Sequence, residues 1–126
     1  MLKKIYTKNA PEAIGPYSQA ILFNELLFSS GQIPVDPATG EVVQGDITAQ
    51  AEQVMKNVGA VLAEAGTDFE AVITTTCFLS DMGDFAAFNE VYGRYCTEKP
   101  ARSCVAVKAL PKNVLCEVEV IAAVGK

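Results

Sequence analysis

The stretch from Asp46 to Gly66 constrains this chain most. Apolar side chains fall at Ile47, Ala51, Val54, Met55, Val58, Val61, Leu62 and Ala65, in steps of three and four with adjacent pairs. That rhythm predicts a helix over 47–65 with one wide apolar stripe. Asp46 can cap its first turn, and Gly66 can take the left-handed position after its end. So wide a stripe has to be buried against another layer, and the rest of the chain supplies strands to receive it.

Residues 3–7 predict a short edge strand. Two apolar runs, 18–23 and 26–30, are split by Asn24-Glu25 and predict a tight hairpin. Asp36-Pro37-Ala38-Thr39-Gly40 is a turn, with proline presetting φ and glycine free to take φ > 0. The β-branched run 71–80 predicts a strand. Asp81 or Asp84 then caps a second helix with its stripe at Phe85, Phe88, Val91, Tyr92 and Tyr95, and Pro100 prevents continuation. Two more strands, 102–108 and 115–124, are joined by a turn near Pro111-Lys112-Asn113. The order β-β-β-α-β-α-β-β predicts an α+β fold, a mixed six-stranded sheet with two helices packed on one face. With 126 residues, 1–126 reads as a single domain, long enough to bury roughly two-thirds of its unfolded surface without staples. Half of the residues are apolar, so the sheet face away from the helices is expected to meet other subunits.

Several function classes drop out on composition. Fifteen acidic and ten basic residues give a net charge of −5, which opposes bulk binding to nucleic acid or an anionic membrane. There is no histidine, so no Ser-His-Asp triad, Cys-His dyad or histidine metal site can form. Cys77, Cys96, Cys104 and Cys116 contain no C-x-x-C pair, which removes the zinc-ribbon and thioredoxin readings. No apolar run follows the basic start, so no signal peptide is read, and no stretch approaches the ~20 apolar residues of a membrane span. The expected setting is cytoplasmic, with free thiols.

Alternation sorts the last two strands by face. Over 102–108, Arg102, Cys104, Ala106 and Lys108 share one side. Over 115–124, Cys116, Val118, Val120, Ala122 and Val124 form an apolar side, while Leu115, Glu117, Glu119, Ile121 and Ala123 point the other way. Two acids in an otherwise apolar strand are unusual, because an unpartnered buried carboxylate is costly. Paired as a hairpin, these strands would set Arg102 and both glutamates on one surface. The guanidinium fork can hold a small carboxylate through two parallel hydrogen bonds, and a glutamate nearby can orient or deprotonate water. The same spacing also suits a structural Arg–Glu pair or a solvated strand face. Cys104 reads as a small buried apolar residue rather than a nucleophile, since no base stands in view. The other three cysteines read as packing.

Four motifs carry a family resemblance. They are Ile14-Gly15-Pro16-Tyr17-Ser18-Gln19-Ala20, Ser29-Ser30-Gly31-Gln32-Ile33-Pro34, Phe88-Asn89-Glu90-Val91-Tyr92, and Pro100-Ala101-Arg102-Ser103-Cys104-Val105 followed by Leu110-Pro111 and Glu117-Val118-Glu119. In this order they span essentially the whole chain, which resembles the reactive-intermediate deaminases of the RidA/YjgF type. The resemblance implies a chorismate-mutase-like fold and a homotrimer with ligand clefts between subunits. It implies hydrolysis of 2-imino acids, such as 2-iminobutanoate and 2-iminopropanoate, to 2-keto acids and ammonia, with no cofactor and no metal.

Carried over by position, the resemblance makes Arg102 the residue that holds the substrate carboxylate and Glu117 the one that places the attacking water. Tyr17 would line the cleft from a neighbouring subunit. Ser30, Gly31 and Cys104 would contact the ligand through their backbone, and Asn89 would stand at the pocket edge. Cys116 replaces a usual aliphatic residue and Val118 a longer one, both on the apolar face. Three other functions attach to such chains: a non-catalytic module binding small carboxylates or purine-related effectors, an endoribonuclease or translation inhibitor, and a holdase chaperone. A pure binder needs Arg102 but not a water-placing Glu117. The ribonuclease reading has the acidic charge and the missing histidine against it.

Overall fold

The computed structural model describes residues 1–125. Its strands are β1 (Leu2–Ile5), β2 (Ala20–Phe23), β3 (Leu26–Ser29), β4 (Val35–Asp36), β5 (Glu41–Val42), β6 (Val72–Leu79), β7 (Ala101–Ala106) and β8 (Cys116–Ala123). Its helices are α1 (Ile47–Glu64) and α2 (Phe85–Tyr95). Six strands form one mixed sheet in the order β1-β2-β3-β8-β6-β7, and β4 and β5 form a separate two-stranded ribbon.

The local expectations hold where the sequence signal is local. Asp46 accepts a hydrogen bond from the Ala49 amide at 3.1 Å and so caps α1. Gly66 follows the helix with φ +86°. The β2–β3 hairpin turns at Asn24, which takes φ 56°. The side-chain cap expected on α2 does not form: Asp84 precedes the helix without such a bond, and Asp81 instead caps the short 3-10 turn ahead of it, accepting from the Gly83 amide at 2.9 Å. The 36–40 turn closes the β4–β5 ribbon, whose two-residue strands are too short to show a periodic pattern.

The stripe of α1 and the inner row of β8 meet in the core. Val54, Met55, Val58, Val61 and Leu62 from α1, Phe88 and Val91 from α2, and Cys116, Val118 and Ala122 from β8 have no exposed surface. Each large aliphatic or aromatic side chain so buried contributes roughly 1.5–3 kcal/mol. Buried amides tie the loops to this core. Asn57 on α1 donates to the Ile33 and Val35 carbonyls, each at 3.0 Å. Gln19 accepts from the Thr7 amide at 2.7 Å and donates to the Thr7 carbonyl at 2.9 Å and the Pro11 carbonyl at 2.8 Å.

One expectation fails. β7 and β8 do not form a hairpin; β6 lies between them, parallel to β7 and antiparallel to β8. The β6-α2-β7 connection is a crossover unit, which returns its second strand parallel to its first. β8 has an inner row of Cys116, Val118, Val120 and Ala122 that is at most 2% exposed, so it takes a central place under both helices. β7, whose Arg102 and Cys104 are only half-buried, takes the edge.

The face away from the helices is uncovered. Ile21, Phe28, Ile121 and Thr74 align across four neighbouring strands, and Phe28 is 41% exposed.

Candidate active site

Arg102 sits opposite Thr75 in the β6–β7 register, and its side chain reaches toward α2. Nη1 donates to Oδ1 of Asn89 at 2.7 Å. The guanidinium carbon lies 4.8 Å from the centre of the Tyr92 ring and 5.5 Å from that of Phe85. Tyr92 is itself fixed by a 2.8 Å hydrogen bond between its hydroxyl and that of Thr75. The two ring faces attract the guanidinium without neutralising it. The one ion pair among the described residues joins Arg94 to Glu52, so Arg102 has no carboxylate partner there. Asn89, Tyr92, Cys96, Lys99 and Arg102 line a cavity of about 340 Å³.

Glu117 lies on the other side of the sheet. Its register partner is Phe78, three residues along β6 from the helix-facing Thr75, and three steps reverse the face. The segment carrying Ser30 and Gly31 runs alongside: the Gln32 and Val118 amides exchange bonds with each other's carbonyls at 2.8 and 3.1 Å. This pairing lays the Glu117 carboxylate against the α-carbon of Gly31. Ser30 is fixed in turn, its hydroxyl donating to the Ser18 carbonyl at 2.6 Å. Tyr17, Ser30, Gly31, Ile33, Pro111, Glu117 and Glu119 share a cleft of about 550 Å³. Burial pushes the Glu117 carboxyl above the usual carboxylate range, and the Glu119 charge adds to the effect.

The cysteines are not poised as nucleophiles. Burial pushes the Cys77 and Cys116 thiols up to about 12. Cys104, in register with Cys77, is also raised by burial, against a weaker downward pull from Arg102.

The seven residues singled out from the sequence therefore form two groups. Arg102, Asn89 and Cys104 gather at the α2 edge; Tyr17, Ser30, Gly31 and Glu117 gather on the opposite face. The expectation that Arg102 and the glutamates share one surface rested on the β7–β8 hairpin and falls with it. Sequence reasoning also missed the stack under Arg102. Phe85 and Tyr92 belong to the apolar stripe of α2, and no periodicity separates a ring that packs from one that carries a cation. Among the described residues, no group of three or more Asp, Glu, Cys or His side chains is placed to hold a metal ion, and no helix is long and apolar enough to cross a membrane.

Residues 7–124 match the family model described as endoribonuclease L-PSP. A RutC family protein of Pyrococcus horikoshii is 54% identical, over 97% of this chain and 98% of its own. A crystal structure of the Rid family protein YyfA from Yersinia pestis is 50% identical with a TM-score of 0.96, over 98% of this chain and 100% of that one. The E. coli protein TdcF, crystallised with bound serine, is 44% identical with a TM-score of 0.93, over 98% and 99% of the two chains.

Proposed function

The chain belongs to the RidA/YjgF family, and on that footing we propose that it hydrolyses reactive 2-imino acids, such as 2-iminobutanoate and 2-iminopropanoate, to 2-keto acids and ammonia. The observation that carries the reading is the Arg102 guanidinium, set over the Tyr92 and Phe85 rings and bonded to Asn89, with no carboxylate partner among the described residues. A half-buried cation kept in this state is matched to a small anionic ligand. The relative TdcF, crystallised with serine, holds a small molecule that carries a carboxylate.

In this scheme the substrate carboxylate lies on Arg102, which fixes the orientation of C2. Glu117 takes a proton from water as the water oxygen bonds to C2 and the C=N electron pair moves to nitrogen. Glu117 returns that proton to the nitrogen, then takes the proton of the new C2 hydroxyl as the C–N bond breaks, so the keto group forms and ammonia leaves. A protonated imine is electrophilic already, so the protein has to position and deprotonate, and positioning alone supplies several kcal/mol. A carboxyl raised toward neutrality suits a group that both takes and returns a proton.

Arg102 and Glu117 lie on opposite faces of one sheet, so a cleft containing both needs a second copy of the chain. We therefore include a homotrimer in the proposal, with each cleft built by two subunits. The uncovered row of Ile21, Phe28 and Ile121 supports contact between copies. The proposed setting is cytoplasmic. A second reading, small-carboxylate binding without turnover, would use Arg102 alone and leaves the placement of Glu117 against Gly31 without a purpose.

The test is loss of 2-iminobutanoate generated by a pyridoxal-phosphate threonine dehydratase, with semicarbazide competing for the imine. The wild-type protein should accelerate that loss, and Arg102→Ala should not. Equal rates with wild type and buffer would overturn the reaction.

A further inference from the structure

Behind the Glu117 cleft lies a second, mostly apolar cavity of about 320 Å³. Tyr17, Gly31, Ile33 and Pro111 border both spaces, so the two lie side by side. Apart from these four, its lining includes Ile14, Val35, two further prolines, Gln19 and Gln32. Its charged members are Glu12, which accepts a hydrogen bond from the Tyr6 hydroxyl, and Lys112.

The walls are pinned. Asn57, 1% exposed, holds the Ile33 and Val35 carbonyls from α1. Gln19, 3% exposed, holds the backbone of Thr7, Ala10 and Pro11 through three donated bonds. Both amides are spent within the protein, on backbone groups and, for the Asn57 oxygen, on the Gln53 side chain, so neither is left to recognise a ligand. What remains is a preformed apolar space, and a size near 300 Å³ is at the lower end of ligand pockets.

Carbon 2 of a 2-imino acid carries three groups. The scheme above assigns the carboxylate to Arg102 and the nitrogen and incoming water to Glu117. The third group is the amino-acid side chain. We propose that this adjoining cavity receives it, so that the chain prefers 2-imino acids with branched aliphatic or aromatic side chains over those of alanine or 2-aminobutyrate. The inference rests on the deaminase reading. A methyl or ethyl group would leave most of the cavity empty or wet, whereas each further buried methylene adds to binding of the transition state.

The test compares imines released by a flavin amino-acid oxidase from alanine, 2-aminobutyrate, leucine and phenylalanine, with semicarbazide as competitor. Wild-type kcat/KM should be about tenfold higher or more for the leucine-derived imine than for the alanine-derived one. Ile14 lines the cavity, is 76% exposed and lies outside the buried core, so Ile14→Trp adds bulk at the cavity without disturbing the core. It should lower the leucine-to-alanine ratio by about tenfold. Turnover of all four imines with a flat ratio, or a ratio unmoved by Ile14→Trp, overturns the cavity's role and leaves the deaminase standing. A protein that hydrolyses no imine but binds 4-methyl-2-oxopentanoate about tenfold tighter than pyruvate, with Ile14→Trp removing the difference, overturns the reaction and retains the cavity. No turnover and equal binding of the two keto acids overturns both.

Discussion

The carboxylate of Glu117 rests on the bare α-carbon of Gly31: a β-carbon built there would stand 1.9 Å from Oε2 and 2.8 Å from Cδ of the glutamate. Gly31 does not have a positive φ, so its backbone tolerates any residue. What excludes a side chain is the glutamate. Gly31 is thus a positioning residue that acts through Glu117.

Gly31→Ala should fold normally, because the group it displaces is the far end of a flexible side chain. Its carboxylate would move by an ångström or more, and a shift of that size costs about 100-fold in rate. The loss should fall on kcat more than on KM, since the carboxylate grip at Arg102 is untouched. Steady-state kinetics with 2-iminobutanoate reads the split; an unchanged kcat would remove Gly31 from this role.

Arg102→Lys retains the charge and should still fail. Lysine has no planar fork to sit over the Phe85 and Tyr92 rings while bonding Asn89 and a carboxylate. We expect kcat/KM to fall about 100-fold. Stability should fall by about 1–2 kcal/mol, the size of a partly desolvated cation–π contact. Kinetics together with a urea melt separates the two; activity within a few-fold of wild type would contradict the bidentate grip.

Glu117→Gln should abolish turnover and stabilise the fold at neutral pH. Burial raises the carboxyl above its unfolded value, so the folded state prefers the protonated form. Stability from that preference is complete below the unfolded pKa and is lost as pH rises through the folded one. The advantage of Glu117→Gln over wild type is therefore largest near neutrality and shrinks as the pH falls into the carboxylate range. Wild-type activity runs the opposite way, falling on acidification as Glu117 gains its proton. Thermal melts of both proteins across pH give the first slope and the pH–rate profile the second. A melting advantage that grows on acidification would refute the assignment.

Asn57→Leu should cost about 2–4 kcal/mol, because the Ile33 and Val35 carbonyls lose their donor in a buried place. The residue bonds only Gln53, Ile33 and Val35, none of them a reacting group, yet it holds the loop that carries Ile33 into both cavities. Urea unfolding should show a lower midpoint at an unchanged slope. A midpoint equal to wild type would mean that water replaces the amide.

The pattern of this chain was readable wherever its cause was local. The stripe of α1, its Asp46 cap, the left-handed Gly66 and the Asn24 hairpin follow from steps of one to four residues, and the structure bears them out. The acidic pair at Glu117 and Glu119 was visible for the same reason, since a strand's alternation sorts its own residues by face. The stacking of Arg102 on Tyr92 was not visible, because a core stripe and a cation platform have one periodicity.

Neither was the separation of Arg102 from Glu117. Alternation says which residues of one strand share a face, and it is silent on which strand lies beside which. That choice was made by the crossover through α2 and by the burial that β8's apolar row demands, contacts between residues far apart in the chain. The sequence by itself determined the elements and the chemical groups they carry. The tertiary structure alone decided that β6 stands between β7 and β8, and so set the guanidinium and the carboxylate on opposite faces. A change in register or neighbour re-aims every side chain on a strand without altering the local pattern.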